Sequence, residues 1–96
     1  MLRFFVPYTN EKPASINIKG HKLVLVSTDE QDVVKGLSAF GANRVEEIQV
    51  EESQSKQDVF LNGLAESIHG GVVLAPPGVD IGLVIEGLES ELPWMH

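Results

Sequence analysis

Four aliphatic residues in a row, Leu23-Val24-Leu25-Val26, constrain this chain more than any other feature. A strand with one wet face alternates apolar and polar residues. An unbroken apolar run needs cover on both faces, so it belongs at the centre of a sheet. The run passes directly into "STDEQDVVKGLSAFG". "TDEQ" fits a capping box, with Thr28 as the cap and Gln31 at the third helical position. Asp29 and Glu30 then sit where the helix dipole favours negative charge. Val33, Val34, Leu37 and Phe40 share one face at helical spacing, and Gly41 is the stop. A buried strand feeding a helix is the basic unit of an α/β domain.

The remaining segments extend that unit. "RFFVP" (Arg3 to Pro7) reads as a short first strand ended by its proline, and "YTNEKP" as a polar connection. "SINIKGHKLVLVS" reads as a hairpin, with Ile16 and Ile18 alternating and Gly20 at the turn. "NRVEEIQVEE" reads as a strand in which Val45 falls out of phase, which fits a bulge or an edge position. "QDVFLNGLAESIH" places Phe60, Leu61, Leu64, Ala65 and Ile68 on one helical stripe, closed by Gly70. Asn62-Gly63 also fits a hairpin turn, but the apolar spacing favours helix. "GVVLA" is a further strand without alternation, which predicts burial. In "VDIGLVIEGLESELP", Ile81, Val84, Ile85, Leu88 and Leu92 trace a helical face, with the strand "GLVIEG" as the other reading. The order is β, β-hairpin, α, β, α, β, α. The fold class is α/β, with α+β as the alternative: a small mixed sheet with an N-terminal hairpin and two to three helices packed on it. The 96 residues suit a single domain, 1–96, whose core buries roughly 60 to 65% of the unfolded surface.

Composition removes whole classes of function. With 43% hydrophobic and 22% charged residues, the chain is of globular type. It has no cysteine, which excludes disulfides and thiolate-held metals. No secretory signal is visible, because "MLRFFVPYTNEKP" breaks at Pro7, and no apolar run is long enough to span a membrane. The expected location is the cytoplasm. The net charge is −7 and unevenly placed. Residues 1 to 28 hold Arg3, Lys12, Lys19 and Lys22 against Glu11, whereas residues 29 to 96 hold Lys35, Arg44 and Lys56 against thirteen acids. Nucleic-acid binding draws most of its affinity from cations, so nucleic acid is not an expected partner. The same charge keeps the protein soluble and suits a face that docks on a basic partner.

No constellation of residues points to catalysis. His21, His69 and His96 share no short metal-binding spacing. His69 fits a cation aiding the last turn of a helix. Glu46-Glu47 and Glu51-Glu52 are strand neighbours that point to opposite faces and do not converge on one substrate. Ser27, Thr28 and Ser38 lack the nucleophile-elbow pattern, and the glycines form neither a dinucleotide nor a phosphate loop. The sequence therefore predicts no catalytic residue, no metal and no cofactor.

The candidate binding residues are Thr28, Asp29, Pro76, Pro77, Gly78, Asp80 and Trp94. Pro76 cannot donate to a ladder, Pro77 fixes a second φ angle, Gly78 allows the reversal and Asp80 can cap the next helix. A rigid loop there would face the same edge as the Ser27–Glu30 helix start, where ligands lie in α/β sheets. Trp94, in "LPWMH", either fills the rim of the core or serves as an interaction handle, and Tyr8 invites the same two readings. "RFFVP" or "RVEEIQV" could, as an edge strand, pair with its copy in a homodimer.

Three landmarks, "FFVP", "LVLVSTDEQDVVKGL" and "GGVVLAPPGVDIGLVIEGL", give the chain from Arg3 to Leu92 a pattern that resembles the N-terminal domain of the SseB family of bacterial proteins. This chain has Val26 where that family tends to have an aromatic, and Ala75 where it tends to have asparagine. The resemblance implies a bacterial α/β domain of non-enzymatic role and carries over no catalytic residue. The expected function is thus binding of another protein. The alternative is a small-ligand sensor that uses the Ser27–Glu30 helix start and the Ala75–Asp80 loop.

Overall fold

The computed structural model describes residues 1–79 and 81–91. Its elements run β1 (Leu2–Thr9), β2 (Lys12–Pro13), β3 (Ile16–Ile18), β4 (His21–Val26), α1 (Glu30–Phe40), β5 (Arg44–Val50), α2 (Gln54–Ile68), β6 (Gly71–Leu74) and α3 (Ile81–Glu91). The fold is mixed α/β, with six strands in two small sheets and three helices.

The apolar run is central, as its lack of alternation requires. β4 lies between antiparallel β3 and parallel β6, and Val24, Leu25 and Val26 are wholly buried. Successive side chains serve opposite faces. Val24 and Val26 join Phe4, Val6, Val50, Leu64 and Ile68 under α2, while Leu25 joins Phe40 and Ala75 under α1 and α3. Phe60 of α2 stacks on Phe4 at 5.2 Å between ring centroids. Each such side chain contributes about 1.5–3 kcal/mol by leaving water. Val84, Ile85 and Leu88 of α3 pack against the second cluster, which settles the helical reading of that segment.

The other sheet is β2-β1-β5, wholly antiparallel. A bridge joins the two sheets. The Phe5 N–H donates to the Ser27 carbonyl at 2.7 Å, and the Ser27 N–H donates to the Phe5 carbonyl at 3.2 Å. This arrangement corrects the reading of "RFFVP": β1 runs through Pro7 to Thr9 and lies between two strands, so it is no edge. The proline is tolerated because of the side it faces. Alternate residues of a strand direct their backbone groups to the same side. Pro7 therefore faces the side of Phe5's bonds to Ser27, where its carbonyl accepts from Ala14 N–H at 2.8 Å, and the ladder to β5 is intact. "YTNEKP" is likewise more than a connection: it turns at Asn10-Glu11 and returns as β2.

Three further expectations change. β5 is an edge strand as expected, but its register from Leu2↔Val50 to Tyr8↔Arg44 is continuous and holds no bulge. β6 is not buried. It is an edge strand with three half-buried residues and a half-exposed Leu74, because it pairs with β4 alone among the described strands. On α1, Val34 is 42% exposed, and the buried stripe runs Asp32, Val33, Gly36 and Phe40.

Candidate binding site

The site is built where β4 and β6 end side by side. Their parallel register runs from Leu23↔Gly71 to Val26↔Leu74 and is extended by the Ala75 N–H, which donates to the Val26 carbonyl at 2.8 Å. The next residue whose backbone faces β4 is Pro77, which has no N–H to continue the ladder, so pairing stops there. The chain then turns over Pro76-Pro77-Gly78-Val79. Gly78 has φ +81°, and the Val79 N–H donates to the Pro76 carbonyl at 3.3 Å. This is a type II turn: proline supplies the first central φ, and the second central position needs the positive φ that glycine adopts without strain.

The helix start beside it differs from expectation. Thr28 is an exposed bend residue, and the N-cap is Asp29, whose Oδ1 accepts from the Gln31 N–H at 2.9 Å. The shift follows from Ser27. That residue is buried, its backbone is committed to the bridge with Phe5, and its Oγ accepts from the Asp29 N–H at 3.0 Å. The hydroxyl closes a local turn, and the helix begins only after it. Gln31 therefore occupies the second helical position and Asp32 the third.

Asp32 is the residue that sequence reasoning passed over. It is 7% exposed, and its Oδ2 accepts from the Gly78 N–H at 2.7 Å. The donor is the central amide of the type II turn, which the turn's own hydrogen bond leaves unused. A short bond to a carboxylate is charge-assisted and roughly twice as strong as a neutral one. The acid also lies in the first turn of α1, where the helix dipole favours it. One side chain thus ties the helix start to the loop across 46 residues. An acid at that helical position was visible in the sequence, but a partner so distant was not.

No family model, curated protein or solved structure matches this chain.

The predicted residues now fall into place. Asp29, Pro76, Pro77 and Gly78 share one end of the sheet, with Thr28 on the bend beside them. Asp80 and Trp94 lie outside the described residues. The neighbourhood is apolar and acidic: Leu74, Val79 and Leu83 are 50%, 36% and 62% exposed, and Glu30 is exposed at the start of α1. Ser27 is spent on the bridge and the Asp29 turn. His21 and His69 belong to the far end of the sheet, at the start of β4 and before β6. Among the described residues, no group of three or more His, Asp or Glu side chains could hold a metal ion. No described helix is long and apolar enough to cross a membrane.

His69 stands at the end of α2, as expected, and its backbone forms the cap. It takes φ +53° at the C-cap, and its N–H donates to the Glu66 carbonyl at 3.2 Å, while Gly70 N–H donates to Ala65 at 3.0 Å. Gly70 is required for space instead, because a Cβ there would lie 2.2 Å from the Lys22 carbonyl oxygen.

Proposed function

We propose that this chain is a non-enzymatic protein-interaction module of the bacterial cytoplasm, as its resemblance to the SseB N-terminal domain also implies. It receives an extended, basic segment of a partner along the open edge of β6 and the Pro76–Val79 turn. The observation that carries this reading is the Asp32–Gly78 hydrogen bond, which fixes an exposed turn to the scaffold. A loop held in one shape loses less entropy on docking. The adjoining edge pairs with no other described strand and so suits strand addition, and exposed Leu74 and Val79 offer apolar contact. The acids of residues 29 to 96 select a cationic partner and repel acidic ones. The small-ligand alternative, placed between helix start and loop, is weaker here because the Asp32–Gly78 bond spans those two segments.

A photo-cross-linking side chain in place of Leu74, Val79 or Val59 tests the reading in cells. Val59 is the control, 71% exposed on α2. The Leu74 and Val79 probes are expected to trap one and the same protein through a segment rich in Lys or Arg. An adduct of the same protein at Val59, or none at Leu74 and Val79, would contradict it.

A further inference from the structure

The arginines and lysines of this chain are used differently. Arg3 pairs with Glu47 at 3.9 Å, Arg44 with Glu46 at 2.9 Å, and the N-terminal amine with Glu52 at 3.6 Å. No lysine has an ion-pair partner among the described residues. Two of them, Lys12 and Lys22, line a single recess of about 280 Å³ together with His69, Ser15, Ser67 and Ile68. Among the described residues no acid lines it, in a protein of net charge −7. The recess brings together β2, the start of β4 and the end of α2. It lies about 16 Å along β4 from the turn at Ser27, at 3.3 Å per residue.

The backbone is specialised to make this recess. α2 ends directly on the Lys22 backbone, which only glycine at position 70 permits. Among the described residues three non-glycines have positive φ: Asn10 and Lys19 lie in hairpin turns, and His69 is the C-cap of α2. The helix end, whose dipole would repel an anion, is blunted because the His69 and Gly70 amides take two of its last carbonyls.

We infer that this recess binds a small phosphomonoester. Lys12 and Lys22 bring two positive charges to its lining, equal to the charge of the dianion, and lysine binds phosphate as a point charge. The imidazole and the Ser15 hydroxyl add donors for its oxygens. Ser67 donates to the Leu64 carbonyl at 2.7 Å, so it offers only lone pairs. The volume suits a phosphate with a few carbons. The site is separate from the β6 edge, and its occupancy does not depend on the protein-binding reading.

The test is titration of the ¹⁵N-labelled chain with glycerol 3-phosphate, followed by amide shifts, with glycerol and succinate as parallel titrants. Saturable shifts are expected within residues 12–15, at Lys22 and within residues 67–70, with none from glycerol. Lys12→Gln and Lys22→Gln should each weaken binding by about tenfold, the loss of one charge-assisted bond, and Lys35→Gln should not. Thermal unfolding of each variant checks that it is folded, and two variants in different strands guard against the loss of one. Shifts that do not saturate, shifts spread equally over Lys35 and Lys56, or succinate binding as tightly would overturn the proposal.

Discussion

At the scale of single residues, the helix start shows how neighbouring polar groups acquire different roles. Ser27, Thr28, Asp29 and Asp32 all read as polar residues at a helix N-terminus, yet only Thr28 is left to solvent. Their substitutions should separate accordingly in chemical denaturation. Thr28→Ala should change stability by no more than about 0.5 kcal/mol. Asp29→Ala should cost about 1 kcal/mol, the loss of an N-cap. Asp32→Ala should cost about 2 kcal/mol, because it removes a charged acceptor and leaves the Gly78 amide without its partner. Equal effects at Thr28 and Asp32 would contradict this assignment. The cap was misplaced by one residue in the sequence reading for a physical reason. Thr28 has the chemistry of a cap, but the buried bridge of Ser27 to Phe5 sets where the helix can begin, and that bridge joins segments 22 residues apart in sequence.

At the scale of elements, legibility followed the range of the forces. Helices carry their signal locally, in spacing and caps, and all three were legible, including α2 with its Asn62-Gly63 pair. Strand environment is set by neighbours distant in sequence. An unbroken apolar run is wholly buried over Val24–Val26 of β4 but at most half-buried in β6, because β4 has a strand on each side and β6 pairs with one. Pro7 was read as a stop because nothing local shows which side of β1 its absent N–H would face. α2 itself allows a sharp comparison. Gly63 lies inside the helix with open space where a Cβ would go, so Gly63→Ala should stabilise by up to about 1 kcal/mol. Gly70→Ala drives a Cβ into the Lys22 backbone and should cost about 3 kcal/mol, at the upper end of overpacking effects. A similar response of Tm to both substitutions would show that the close contact of α2 with β4 is absent. His69→Gly should raise Tm by relieving the left-handed strain while it weakens phosphomonoester binding.

At the scale of the whole molecule, the chain separates its charges and its two ends. The sequence made the cationic first part and acidic remainder plain, but not that Lys12, Lys22 and His69 line one recess, which needs β2, β4 and α2 in place. The packing is two-sided, so damage should be too. Leu25→Ala, under α1 and α3, should cost about 2–5 kcal/mol, whereas Leu74→Ala at the open edge should cost far less. Asp32 makes the helix start and the Pro76–Val79 turn a single unit. The most direct measurement is hydrogen exchange of the Gly78 amide in the unmodified chain and in Asp32→Ala. The Gly78 amide should be protected and should lose its protection in the variant, while the amides of β4 keep theirs. A Gly78 amide that exchanges as fast as an unstructured one in the unmodified chain would contradict it.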